Sequence, residues 1–171
     1  LYSIPAFGSE WYSRNMYIQG TAEFDHHINT YGPHKEFGYK DFIPLFTAEN
    51  FRADEWVRIF QEAGAQYIFP VAEHHDGFQL YSSQLSPFNS VEMGPKRDIL
   101  QELSQETQKT PLHFCTSSHR AEHHFFFSHG KDFDSDVKGE VGREELYWPA
   151  MPEPEHHSLF TKPYPSKEFL D

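Results

Sequence analysis

The stretch YIFPVAEHHDGF, Tyr67 to Phe78, decides how the chain is read. A mostly apolar run ends abruptly in Glu73-His74-His75-Asp76, and a glycine follows. Short continuous apolar runs bounded by turn residues read as strands buried on both faces. Asp76-Gly77 is a common turn pair. Pro70 is a blemish in the strand, because proline gives up a ladder donor. The polar tetrad leaves metal ligands, acid/base catalysts, sugar-binding groups and an ordinary capped turn all open.

Working outward, FRADEWVRIFQEAG (Phe51 to Gly64) precedes this strand and reads as a helix. Trp56, Ile59, Phe60 and Ala63 fall at i, i+3, i+4 and i+7, one apolar stripe. Asp54 and Glu55 complement the dipole in its first turn, and Gly64 is a natural stop. Beyond a long loop, 74–96, RDILQELSQETQK reads as a second helix with Ile99, Leu100 and Leu103 as its apolar face. TPLHFCTS then gives a second strand, 111–117. Helix, strand, helix, strand with crossovers of this length predicts parallel strands in an α/β fold. Residues 1–50 show no sustained period and read as irregular, and 130–165 as a long proline-bearing loop. Ser166 is a plausible N-cap of a helix starting in YPSKEFLD.

Composition narrows the function. The chain has 171 residues with 26 Asp and Glu against 14 Lys and Arg, a formal charge of −12. So negative a surface repels phosphate backbones, which argues against a nucleic-acid partner. No apolar run approaches the roughly 18 to 20 residues of a membrane span. The single cysteine, Cys115, allows no internal disulfide and reads as a small buried thiol in the second strand.

The second strand also runs into histidine, in CTSSHRAEHHFFF, with His119, Glu122, His123 and His124. Parallel strands end on one edge of their sheet, so EHHDGF and SSHRAEHH are expected to meet there. In barrels and open α/β sheets that edge is where sites are built. His26-His27 and His156-His157 have no strand leading into them and read as surface histidines.

Three chemistries compete for the shared edge. Zinc wants three or four N, O or S ligands, and His119 and His123 offer an i, i+4 pair. Neither HExxH nor HxH occurs, and His74 and His75 would face opposite sides if the strand continued through them. Serine nucleophiles lack a GxSxG elbow. Neutral polyol recognition suits imidazoles and carboxylates, which fix hydroxyls, and aromatic rings, which pack a sugar's apolar face. GSEWY supplies that combination in Glu10, Trp11 and Tyr12.

At these residues the sequence resembles the α-L-fucosidases of glycoside hydrolase family 29. LYSIPAFGSEWYSRNMY, FRADEWVRIFQEAGAQYIFPVAEHHDGFQLYSS and PKRDILQEL carry the resemblance, which is firm over residues 1 to about 118. It implies a (β/α)8 TIM-like barrel that removes terminal α-L-fucose with retention of configuration and without a metal or other cofactor. It further implies that Glu10, Trp11, His74 and His75 bind the fucose, with Glu10 also a catalytic candidate. The implied partner is a fucosylated glycan, in a secreted, periplasmic or lysosomal setting rather than the cytoplasm.

The sequence also departs from the family pattern. The His-Trp-Gly that members carry before the LYS stretch is absent. Where many members place a pocket tyrosine, Phe114-Cys115-Thr116-Ser117 stands, so His119 is the expected substitute. A retaining glycosidase needs two carboxyl groups roughly 5 to 5.5 Å apart, and the family's nucleophile and acid/base would lie beyond Asp171. Residues 1–171 are therefore expected to be the N-terminal half of a catalytic barrel, truncated at both ends and inactive alone. Two other classes fit the same residues: a non-catalytic fucose-binding protein, and a metal-dependent barrel hydrolase using His74, His75, His119 and His123.

Overall fold

Helices come first along the chain and paired strands later. The structure, a computed structural model, describes residues 4, 5, 7–84, 86–119 and 126. The expectations placed on Glu122, His123, His124, His156, His157 and the segment from 130 onward lie outside the described residues. In order, the elements are α1 (Tyr12–Asn15), α2 (Ala22–Tyr31), a 3₁₀ helix (Tyr39–Leu45), α3 (Ala53–Glu62), β1 (Tyr67–Ile68), β2 (Val71–Glu73), α4 (Ile99–Thr107), β3 (His113–Phe114) and β4 (Ser117–Ser118).

The expected parallel pairing is present. β1 pairs with β3 (Tyr67 with His113, Ile68 with Phe114), and β2 with β4 (Val71 with Ser117, Glu73 with Ser118). Each expected strand is broken in two. Pro70 has no N–H to give, and the ladder lapses at Phe69-Pro70 before resuming at Val71. Cys115 falls in the matching gap between β3 and β4; its amide still reaches the Ile68 carbonyl at 2.9 Å, and its thiol is only half-buried.

Burial on both faces is found only in part: it holds in β2, where the adjacent Ala72 and Glu73 are both buried, and fails at β1. Ile68, Ala72 and Glu73 are buried, but Tyr67 and Phe69 are 57% and 62% exposed. The physical reason is which side chains have neighbours: Ile68 packs into the cluster formed with α3 and α4, whereas Tyr67 and Phe69 lie outside it. The stripe expected on α3 is displaced for the same reason. Ala53 and Val57 are the buried positions and Phe60 is partly buried against the same core, while Trp56 and Ile59 stand about half exposed. The apolar arc of the helix is wider than the face its neighbours cover.

Residues 1–50 are not irregular. Thr21 caps α2, its Oγ1 accepting from the Phe24 amide at 3.1 Å, and Glu23 and Asp25 lie in the first turn. Periodicity misses α2 because its one fully buried residue is His27, which counts as polar. The surface placement expected of His26-His27 is thus overturned: both are helical, His27 is wholly buried and His26 half-buried. His27 Nε2 lies 2.8 Å from the Phe37 carbonyl, and Nδ1 lies 3.0 Å from the Tyr12 hydroxyl. A carbonyl can only accept, so Nε2 carries the proton and Nδ1 accepts from Tyr12.

Two apolar clusters result. Tyr12, Met16, Tyr17, Tyr39, Phe42, Ile43, Phe78 and Phe126 form an aromatic one under the N-terminal helices. Phe51, Val57, Ile68, Ile99, Leu103 and Leu112 form an aliphatic one between α3, α4 and the first strand pair. Arg97 ties the loop before α3 to α4: Nη1 reaches the carbonyls of Ala48 and Phe51 at 3.2 Å each, and Nε reaches Glu102 at 2.9 Å.

Candidate active site

The strand-to-turn transition after β2 shapes the site. Glu73 closes the strand, and the chain turns at once, with the Gly77 amide bonded to the His74 carbonyl at 3.0 Å. Gly77 sits at φ 69°, a conformation that favours glycine. Asp76 holds this turn from below. It is wholly buried, Oδ1 accepting from the Phe78 amide at 3.1 Å and Oδ2 from the Tyr39 hydroxyl at 3.2 Å. Because the strand does not continue, His74 and His75 do not face opposite sides. Their rings meet edge to face, centroids 4.5 Å apart.

His119, at the end of β4, joins them. Its amide donates to the Glu73 carbonyl at 2.9 Å, its ring stacks on His74 at 4.5 Å, and its Nδ1 lies 3.3 Å from His75 Nε2. The two strand ends therefore share one rim, as parallel pairing requires.

The Glu10-Trp11 loop borders the same rim. α1 turns Tyr12 and Ser13 into the core, leaving Glu10 exposed and Trp11 40% exposed on the other side. Phe126 bridges the gap: its ring stacks on His75 at 4.2 Å (interplanar 8°) and on Trp11 at 5.0 Å (22°). The Glu10 carboxylate is near enough to favour protonation of His74. Glu10, Trp11, His74 and His75 are thus gathered on one side of the molecule.

Burial disfavours the charged forms of His74 and His75. Burial is the main cause lowering the pKa of His74, with His119 adding to it and Asp76 and Glu10 opposing. Burial, then His74 and His119, push His75 down to about 4. Neutral imidazoles each carry one N–H donor and one acceptor nitrogen, which suits hydroxyl groups. The same three rings constitute a possible metal-ligand group, with nitrogens all within 4.8 Å of one another. Ligand bonds of 2.0–2.1 Å place the nitrogens of a tetrahedral zinc site roughly 3.3 Å apart, so coordination would need the wider pairs to close in.

Phe126 is the neighbour that sequence reasoning missed, since the HHFFF run carries no periodic signal. An apolar cavity of about 620 Å³ lies elsewhere, lined by residues including Phe46, Trp56, Val71, Leu80 and Leu103, and none of the four expected site residues borders it.

Known proteins share this arrangement of sequence. The alpha-L-fucosidase family profile matches residues 1–168. Plasma alpha-L-fucosidase of Homo sapiens is 43% identical over 119 residues, 67% of this chain and 25% of that protein. Tissue alpha-L-fucosidase of Rattus norvegicus is 36% identical over 115 residues, again 67% of this chain and 25% of that protein. The crystal structure of Thermotoga maritima alpha-fucosidase in complex with fucose is similar at a TM-score of 0.64 and 35% identity, covering 68% of this chain and 30% of that one. The chain spans about a quarter of the length of the curated relatives it matches. It belongs to the alpha-L-fucosidase family.

Proposed function

We propose that the complete protein is an exo-acting, retaining α-L-fucosidase acting on fucosylated glycans. Residues 1–171 are then the N-terminal half of its (β/α)8 barrel. The observation that carries this reading is the convergence of the Glu10-Trp11 loop with His74 and His75 on one rim, linked by the Trp11–Phe126–His75 stack. His74 and His75 bond sugar hydroxyls, Trp11 packs the apolar face of the pyranose, and Glu10 accepts from a hydroxyl. Glu10 is also the catalytic candidate of this half.

The mechanism is double displacement through a fucosyl-enzyme ester. One carboxylate attacks the anomeric carbon while a second carboxyl protonates the leaving oxygen; water then reverses the sequence. Nucleophile and acid/base are assigned to the segment beyond Asp171. The residues of this half hold the ring, and hydrogen bonds that tighten as it flattens toward the oxocarbenium ion lower the barrier. Acidic surface charge fits a neutral glycan partner better than nucleic acid. Among the described residues no helix is long and apolar enough to cross a membrane.

The test is turnover of an aryl α-L-fucoside by the complete protein, with a fluorinated fucoside to trap the ester on its carboxylate. Fucose binding without turnover would leave a non-catalytic sugar-binding protein. The clustering of three imidazoles favours the metal-dependent alternative as the second reading. Activity lost to a chelator and restored by zinc would establish it. The 171-residue chain alone is expected to be inactive.

A further inference from the structure

Two adjacent side chains of α2 hold the two ends of the loop that carries Glu10 and Trp11. Successive residues of an α-helix point about 100° apart, so His26 and His27 leave α2 in different directions. The half-buried His26 ring lies flat on Phe7, with centroids 3.7 Å apart and an interplanar angle of 2°. The His27 ring turns inward, where its Nδ1 accepts from the Tyr12 hydroxyl at 3.0 Å. Phe7 lies ahead of Gly8-Ser9-Glu10-Trp11 and Tyr12 directly after it, so one histidine grips each end. Tyr12 closes the bracket, its ring meeting Phe7 edge to face at 6.4 Å and His26 at 6.1 Å.

A third side chain of α2 sets how close the loop comes. Glu23 Oε1 accepts from Asn15 Nδ2 at 3.1 Å, and it would lie 3.0 Å from a Cβ placed on Gly8. Gly8 also sits at φ 76°, where any other residue is strained. Between the grips the loop is a tight turn. The Ser9 amide donates to the Phe7 carbonyl at 2.9 Å, the Trp11 amide to Ser9 Oγ at 3.1 Å and the Tyr12 amide to the Ser9 carbonyl at 3.1 Å. Holding an exposed turn in one conformation costs backbone entropy. Grips at both ends offset that cost before a ligand arrives, which is preorganisation.

We infer that His26 and His27 are positioning residues for Glu10 and Trp11, so that α2 preorganises one wall of the sugar site without touching the sugar. This deepens the fucosidase reading and rests on it. The two histidines act by different means. His27 fixes the Tyr12 ring through a hydrogen bond, whereas His26 offers Phe7 a flat face. An aromatic ring at position 26 therefore keeps the grip, and an aliphatic side chain loses it.

The experiment compares His26→Leu, His26→Phe and Tyr12→Phe with the complete wild-type protein. Leucine has no flat face, phenylalanine keeps the stack, and Tyr12→Phe removes only the hydroxyl that bonds His27. Hydrogen–deuterium exchange is followed peptide by peptide, alongside calorimetric affinity for fucose. In His26→Leu and Tyr12→Phe, exchange over residues 7–12 is expected to quicken about 2- to 10-fold beyond any change in α3 and α4. Fucose affinity should fall by a like factor, and His26→Phe should recover both readouts. Unchanged loop exchange in His26→Leu would overturn the assignment of His26, and in Tyr12→Phe that of His27. Equal quickening in the loop, α3 and α4 would also overturn it, since it marks general support of the fold. So would quickened loop exchange with undiminished fucose affinity, because Glu10 and Trp11 would then need no positioning. A wild type that binds no fucose would fail the fucosidase reading alone, and the exchange comparison would still decide whether α2 holds the loop.

Discussion

Acid stability gives the sharpest test of the buried histidine under the site. His27 is wholly buried and its pKa is brought down to about 4, chiefly by burial, with His34 and His26 adding to it and the Phe37 carbonyl and Asp41 opposing. The groups facing it are Tyr12, Tyr31, His26, His34 and Asp41. In the unfolded chain His27 titrates near 6.5. Between the two values the unfolded state binds the extra proton, so stability is fully present above about 6.5 and falls with pH toward 4. One proton corresponds to about 1.4 kcal/mol per pH unit. Integration from pH 7 to 4.5 gives a loss of about 2.4 kcal/mol from this residue. Against a typical domain stability of about 5–15 kcal/mol that is a large share. The perturbation is His27→Gln, which retains a donor and an acceptor but does not titrate in this range. Urea unfolding of both proteins at pH 7, 6, 5 and 4.5, followed by circular dichroism, reads the difference. His27→Gln should be less stable at pH 7, and the gap should close by about 2 kcal/mol on acidification. Parallel pH profiles would refute the buried neutral imidazole.

Three further outcomes are expected. His75→Ala in the complete enzyme should lower kcat/KM on an aryl α-L-fucoside by roughly 10- to 1000-fold through lost hydroxyl contacts; unchanged steady-state kinetics would remove His75 from the pocket. Asp76→Ala should destabilise the fold by about 3 kcal/mol in urea titrations, because the buried Tyr39 hydroxyl and Phe78 amide each lose their acceptor. Arg97→Ala should cost about 1–2 kcal/mol in the same assay, and Arg97→Lys should recover little, since a single ammonium cannot reach Glu102 and two carbonyls in one fork.

The order helix, strand, helix, strand was legible from Phe51 to Ser117 because apolar periodicity and breaker residues are local signals. Parallel pairing followed from the crossover length, and with it the meeting of His74 and His75 with His119 at one edge. Pro70 also announced its break in the ladder, though not that the strand would split in two. Burial was less legible. A histidine counts as polar in any periodic pattern, so α2 went unrecognised although His27 is its buried anchor. Trp56 and Ile59 fitted an apolar stripe, yet only the neighbours that cover a helix decide which part of its arc is inside.

Sequence by itself determined the order of helix and strand from Phe51 to Ser117, the direction of the strands and the residue types brought to their ends, since each depends on the chemistry of a few adjacent side chains. Tertiary structure alone decided the stacking of His119 on His74, the turn that brings His74 and His75 to one side, and the seating of Phe126 between Trp11 and His75. Register and ring stacking join residues far apart in the chain, and the free energy that selects them exists only once both partners are in place.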